Sequence, residues 1–459
     1  MQKYSNDTLT PQEMRAAGGL SLVFAFRMLG MFMVLPVMMT YGTSLQGATP
    51  ALLGFAIGAY GLTQALLQIP FGMLSDRFGR MPIIYLGLLL FALGSLVAGY
   101  SDSIWGVILG RILQGTGAIS AAVMALLSDL TREQHRTKAM AMIGMSIGLS
   151  FAIAMVIGPL LTKHFALSGL FYATGIMALV GIVITALVVP KPQQRLRNRE
   201  AGVNLQVFME TLKDRHLLRL DFSILILHSL LMASFIALPL QLVEQGGLAK
   251  EQHWWVYLVA VLLGFFSMIP FIIIGEKKRQ MKKVLIGAVT ALLLIELYFA
   301  WLGINLVLLV IGFILFFCAF NLLEASLPSL ISKQAPAGNK GTAMGIYSTS
   351  QFLGAALGGI LGGKLLAIGG TELVFIGCAV LAVIWLLLVC TMQEPPYVTS
   401  MRLNVVDTKD TAAWLKELNA QEGVADVSWV EEESAVYIKF DTQLVNRESL
   451  ERIVPCVQA

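Results

Sequence analysis

Gly72-Met73-Leu74-Ser75-Asp76-Arg77-Phe78-Gly79-Arg80-Met81-Pro82 puts one acid, two arginines and two glycines into a short link between two long apolar runs. Runs of this kind, about 20 residues each and so long enough to cross a bilayer, recur along most of the chain. Of 459 residues, 57% are hydrophobic and 13% charged, with a mean hydropathy of +0.76. A soluble chain carries about 25% charged residues. The sequence therefore reads as an all-α polytopic membrane protein. A barrel would show alternating segments of about ten residues instead.

Twelve spans are expected, at 17–41, 51–74, 82–101, 104–128, 139–163, 167–190, 220–243, 252–275, 284–302, 305–332, 341–367 and 371–392. The polar start and the length of the first apolar run argue against a cleavable signal peptide. Links after even-numbered spans are basic, with Arg77 and Arg80, then Arg132, Arg136 and Lys138, then Lys277 to Lys283, then Lys333 and Lys340. Links after odd-numbered spans are nearly free of Lys and Arg. Basic residues beside spans stay in the cytoplasm, so both termini and the central link are expected there.

The central link divides the chain into a first half (15–190), a linker (191–219), a second half (220–395) and a polar tail (399–459). Lys138-Ala-Met and Lys340-Gly-Thr open spans five and eleven at an offset of 202, and Gly72 and Gly275 close spans two and eight at 203. These echoes suggest a parallel repeat of six-helix units, with a substrate site between them near the bilayer midplane. Coincidence between generic basic loops is the plainer alternative.

Within the opening link, Gly72 lets a neighbouring helix approach, and Gly79 permits the tight turn. Asp76 is placed to face a helix N-terminus. Arg77 and Arg80 reach acids or lipid phosphates and also fix topology. A topogenic turn with a solvated Asp explains the same residues. The stretch resembles the signature of the major facilitator superfamily, G-x-L-a-D-r-x-G-r-k. It matches at Gly72, Leu74, Asp76, Arg77, Gly79 and Arg80, with Met81 in place of a basic residue. Arg111-Ile112-Leu113-Gln114-Gly115 is similar to a second family motif, R-x-x-Q-G. The resemblance implies a secondary transporter with twelve transmembrane helices in two halves. It also implies that the link engages span eleven as a conformational latch, with Asp129 and Glu324 in a surrounding charge cluster. Gly354, Gly358 and Gly362, on one face of span eleven, are the expected partner surface. The antiporter signature in span five matches only at Gly144, Gly148 and Gly158-Pro159.

Ionisable groups inside spans are functional candidates by default. Arg27, Arg111, His228, Glu296 and Glu324 qualify, and the second motif adds Gln114 and Gly115. The family pattern implies that Arg111 takes part in proton coupling, for which Glu296, Glu324 and His228 offer exchangeable protons. Packing is the plain alternative for His228, and a helix interface for Glu296. Met28, Met31, Met33, Met38 and Met39 suit an adaptable apolar cavity, or plain lipid-facing or core use.

The tail reads as strand 401–406, helix 410–421, strands 424–429 and 435–440, and helix 446–453, with a short last strand near Val457. This β-α-β-β-α order suggests a small α+β ferredoxin-like domain. It resembles the heavy-metal-associated domains, but Val406-Asp407-Thr408-Lys409 occupies the place of their C-x-x-C. Self-association, regulation or a passive role is expected of it. Cys318, Cys378, Cys390 and Cys456 lack metal-ligand spacing, so no metal or cofactor is expected.

The functional expectation is proton-coupled export of amphipathic small molecules from a bacterial inner membrane, because the whole chain looks like bacterial drug/proton antiporters. A metabolite or sugar exporter is the second reading. A transporter-like sensor reporting through the tail is a third. An enzyme and a nucleic-acid partner are not expected.

Overall fold

The computed structural model describes residues 9–191, 205–336, 340–405, 411–431 and 434–455. Arg195, Arg197 and Arg199 of the linker, the Val406–Lys409 loop, Glu432, Glu433, Cys456 and Val457 lie outside the described residues.

Ten helical segments among the described residues are long and apolar enough to span a membrane. The first span combines α1 (Pro11–Phe32) and α2 (Leu35–Tyr41). It is followed by α3 (Pro50–Phe78) and α4 (Arg80–Tyr100), and then by the fourth span, made of α5 (Ile104–Thr116) and α6 (Ser120–Leu130). Next come α7 (Glu133–Leu187), α8 (Leu205–Thr211), α9 (Arg215–Glu244), α10 (His253–Lys277), α11 (Met281–Trp301), α12 (Leu306–Gln334) and α13 (Lys340–Cys390). At 55 and 51 residues, α7 and α13 are about 80 Å long if straight, far beyond a hydrocarbon layer of roughly 30 Å. Each reverses inside. Ala166 (φ 56°) turns α7, and Gly369 and Gly370 (φ 71°) turn α13. Counting each as two spans gives the expected twelve.

These directions give the bundle two sides, one carrying Gly79 and the other Thr49. On the Thr49 side the two halves are pressed together. A Cβ built on Gly54 would lie 2.5 Å from the Gly359 carbonyl and 2.6 Å from Gly363 Cα. At Gly58 it would meet the Ala356 carbonyl at 2.6 Å, and at Gly61 the Phe352 carbonyl at 2.7 Å. Spans two and eleven thus touch backbone to backbone, which only small residues allow. The Lys250 ammonium lies 4.2 Å from the Tyr41 ring centroid on the same side.

The halves also meet at mid-height. Phe151 stands edge-on to Phe32 at 5.0 Å, and its centroid is 5.6 Å from Phe317 and 6.5 Å from Phe320. Gly148 and Gly144 lie one and two turns below Phe151 on nearly the same helix face. Added Cβ atoms there would meet nothing within 4 Å. The halves therefore part below the phenylalanines, leaving a cleft open to the Gly79 side. The methionines of the first span, Met28, Met31, Met33, Met38 and Met39, are all buried in the core rather than lining this cleft as an adaptable surface.

The tail forms β1 (Thr399–Asn404), α14 (Thr411–Ala420), β2 (Val424–Val430), β3 (Ala435–Phe440) and α15 (Arg447–Ile453). The three strands make an antiparallel sheet in the order β1-β3-β2. Val436, Ile438 and Phe440 pack with Trp414, Leu418 and Leu450 of the two helices. The alternate residues of β3 serve the other face, and Lys439 is 3% exposed. Its ammonium donates to the carbonyls of Ser332 (3.3 Å), Lys333 (2.9 Å) and Ala335 at the C-terminal end of α12. Those carbonyls have no intrahelical donor, and a cation there also complements the helix dipole. Arg279, between α10 and α11, donates to Asp441 Oδ1 at 2.6 Å. Tyr397 accepts from the Met281 amide at 2.9 Å. The tail is thereby fastened to the second half.

Arg279 holds the Asp441 carboxyl below the usual aspartate range. A depressed folded-state value means that docking stability is present above pH ~3.9 and is lost as pH falls below it. Lys439→Met should release the tail, seen as a broadened distance distribution between spin labels on the tail and on α12. An unchanged distribution would show that Lys439 is not the fastener.

Candidate functional site

The Gly72–Arg80 link is organised around Arg80. Gly79 ends α3 at φ 101°, a conformation that favours glycine. That turn returns the Arg80 guanidinium to Asp76, with which it forms an ion pair. Arg80 also donates to Ser75 Oγ at 2.8 Å and reaches Asp129 Oδ2 at 3.4 Å. The ends of spans two and four and the start of span three are thus joined inside the first half. A Cβ on Gly72 would stand 3.3 Å from the Ala121 Cβ, a close approach of spans two and four. Arg77 is exposed, with its guanidinium 5.5 Å from the Phe78 centroid. A second clasp was not legible in the sequence. Glu13, in a capping box with Thr10, accepts from the Arg132 amide at 2.8 Å and from its guanidinium at 2.9 and 3.0 Å.

Two expectations about this link are corrected. Gly354, Gly358 and Gly362 do not present a surface to it. Cβ atoms there would strike the Leu225 carbonyl (2.1 Å), the Ser229 carbonyl (2.3 Å) and the region of Ala233 and Ile236 (3.0 Å), so this stripe packs on α9 of its own half. Span two meets the neighbouring stripe, Gly359 and Gly363, near the other end of the bundle. Glu324 is not in the Arg80 cluster either, but belongs to a separate group in the second half.

The two buried arginines pair with neutral groups. Arg27, 2% exposed, donates to Gln64 and to Ser120 Oγ at 3.1 Å. Gln64 in turn donates to Gln68 at 2.8 Å. Arg111, 1% exposed, donates to the Ala56 carbonyl (3.3 Å) and to Gln114 Oε1 (2.8 Å), and its guanidinium lies 4.7 Å from the Tyr60 centroid. Gln114 passes the chain on to Ser95 Oγ at 2.8 Å. Gly115 lets span four touch span two, since a Cβ there would lie 2.4 Å from the Tyr60 carbonyl. The R-x-x-Q-G motif therefore builds a shared polar core of spans two, three and four.

In the second half, Gln351 joins two of the predicted groups. Its amide lies 2.9 Å from His228 Nε2 and donates to Glu324 Oε1 at 3.2 Å. Both amide hydrogens are used if His228 Nε2 accepts, which places the ring proton on Nδ1, 3.9 Å from Glu324 Oε2. The Glu324 side chain is 33% exposed, and Phe320, one turn away on the same helix, lies 6.0 Å from the His228 ring. The group stands just below the phenylalanine waist, where the cleft opens. Glu296 is apart from it, fully buried and accepting from Ser234 Oγ at 3.0 Å. Sequence reading missed Gln351, because a glutamine draws notice only when its partners on two other helices are known.

Comparisons with known proteins agree with this architecture. The Major Facilitator Superfamily model matches residues 20–359 and 282–414, and the YajR YAM domain model matches 402–455. The chain is 53% identical to the inner membrane transport protein YajR of Escherichia coli K12 over 447 residues, covering 97% of this chain and 98% of that one. It is 25% identical to multidrug resistance protein 1 of Bacillus subtilis over 371 residues, covering 75% and 87% of the two. The crystal structure of the nucleoside transporter NupG superposes with a TM-score of 0.64 at 16% identity, covering 82% of this chain and 99% of that one.

Gln114→Ala removes the acceptor of Arg111 and the donor to Ser95 together. An unsatisfied buried polar group costs about 1–3 kcal/mol, so a lower thermal unfolding temperature of the detergent-purified protein is expected. An unchanged temperature would mean that the network contributes nothing to the fold.

Proposed function

The chain belongs to the major facilitator superfamily, a family of membrane transporters, and from that premise we propose that it exports amphipathic small molecules in exchange for protons by alternating access. The observation that carries the reading is the placement of Glu324. It is an ionisable group inside the membrane, it stands at the open cleft, and it shares Gln351 with His228. Intramembrane carboxylates are costly, and they commonly mark proton relays. The phenylalanine waist offers apolar contact to the ring or chain of a substrate. Kinship with a multidrug resistance protein favours drugs and similar compounds over sugars.

The basic links lie on the Gly79 side, so that side is cytoplasmic by the distribution of Lys and Arg, and both termini lie there too. The cleft then faces inward in this structure. The name of the close Escherichia coli relative supports an inner-membrane location. Transport requires the opposite state, in which the Gly54–Gly363 contact opens and the cytoplasmic side closes. The Arg80 cluster, with Asp76 and Asp129, is the latch for that closure, and it meets span eleven when the halves come together. Arg27 and Arg111 hold the first half rigid during the movement. The tail regulates from the second half, and self-association through its sheet face would compete with docking on α12.

In proteoliposomes under an imposed pH gradient, accumulation of a panel of amphipathic fluorescent cations and neutrals tests the coupling. We expect Glu324→Gln to abolish gradient-driven flux. Flux that persists in this variant, or that ignores the gradient, would overturn the assignment.

A further inference from the structure

Spans seven and eleven are parallel and locked in register. Gly354 faces Leu225, Gly358 faces Ser229 and Gly362 faces Ala233, the same offset of 129 residues at each contact. Continued toward the Gly79 side, that register sets Ser350 level with Asp221 and brings Tyr347 to within one turn of it. Tyr347, Gln351, Gly354 and Gly358 lie on one stripe of α13, and Asp221, Leu225 and His228 on one stripe of α9, by their three- and four-residue spacing. The glycine contact turns these stripes toward each other.

Tyr347 is 3% exposed and Asp221 5%. The Tyr347 hydroxyl and Asp221 Oδ1 have no hydrogen-bond partner, and neither does Glu324 Oε2. Tyr347 lies within electrostatic reach of both carboxyls. At about 1.5 Å of rise per residue, that register sets Tyr347 ~4.5 Å nearer the Gly79 side than Asp221, with Gln351 ~1.5 Å and His228 ~10 Å deeper than Asp221. Both Asp221 and Tyr347 therefore lie on the Gly79 side of His228 and of Gln351, which donates to Glu324. Each buried polar atom left unpaired calls for an explanation.

We infer that Asp221 and Tyr347 form the Gly79-side entrance of a proton path to Glu324, an inference that rests on the proposed coupling role of Glu324. Asp221 takes a proton from the water on that side. It gives the proton to the Tyr347 oxygen as the phenol releases its own hydrogen toward the Glu324 carboxylate. Two protons shift together and one is carried in net, one O–H bond breaks for each that forms, and the ring stays neutral throughout. Rotation of the phenol between its two acid neighbours supplies the reach. The groups around Glu324 are His228 from α9, Tyr347 and Gln351 from α13, and Asn321 one turn away on its own helix, while Asp221 lies two turns from His228 toward the Gly79 side. Lys333 and Glu276 pair with each other at the end of α12, with Nζ to Oε1 at 2.6 Å, so they do not serve as its counter-charge.

Time-resolved infrared spectroscopy of the reconstituted full chain after a pH jump tests the path. The carboxyl stretch of Glu324 is identified by its loss in Glu324→Gln. Its protonation should slow roughly tenfold or more, a barrier increase of about 1.4 kcal/mol, in Tyr347→Phe and in Asp221→Asn, with Asp221→Glu restoring much of the rate. Tyr347→Phe keeps the ring and its packing, so it reports even if Asp221→Asn does not fold. Unchanged rates in Tyr347→Phe overturn the path while leaving Glu324 as the coupling group. Absence of a Glu324 band in the unsubstituted protein overturns the coupling reading, and the path with it.

Discussion

The structure depends on one contact made without side chains, the approach of span two to span eleven at Gly54, Gly58, Gly359 and Gly363. Everything distinctive about the shape follows from it. Because carbonyls and α-carbons touch there, the two halves are clamped on the Thr49 side and hinge apart below the Phe151–Phe317 contact. Helices in lipid gain nothing from burying leucines against each other. Backbone approach and dispersion are the available attractions. A contact of this kind can also be broken without exposing a charge.

The two halves handle polarity differently. In the first, Arg27 and Arg111 are surrounded by amide, hydroxyl, carbonyl and ring partners, and Arg80 ties three span ends together. Arg27 Nε, Tyr60 Oη and Asp129 Oδ1 nonetheless have no hydrogen-bond partner. In the second, Asp221, Tyr347, Asn321, Glu324 and His228 carry buried polar atoms with no partner. The halves differ most in the charges they bury within the spans: arginines in the first, carboxyls and histidines in the second.

Much of this was readable before the fold was known. Apolar runs and alternating basic links announce twelve spans, and Gly79 announces the turn that aims Arg80. Asp129 entered only through the family resemblance, as one member of a charge cluster around the link, and the sequence did not say which residue it would meet. What could not be read was partner choice. Gly354, Gly358 and Gly362 form a regular stripe, yet the stripe beside it, Gly359 and Gly363, faces the other half. Two stripes about 100° apart on one helix look equally suited to close packing, and only the tertiary arrangement separates them. The same limit hid Gln351, the Glu13–Arg132 clasp and the seat of Lys439 on α12. Each joins residues more than 25 positions apart, and none matches a local pattern.

The central claim is that the glycine contact sets the conformational balance. Spin labels placed in pairs across the halves, one pair on the Thr49 side and one on the Gly79 side, measure it directly in the folded protein. Gly58→Leu puts a side chain where only 2.6 Å separates a Cβ from the Ala356 carbonyl. Gly58→Leu should lengthen the Thr49-side distance and shorten the Gly79-side distance together. Unchanged distances on both sides, in a variant that unfolds at the same temperature as the parent, would contradict it.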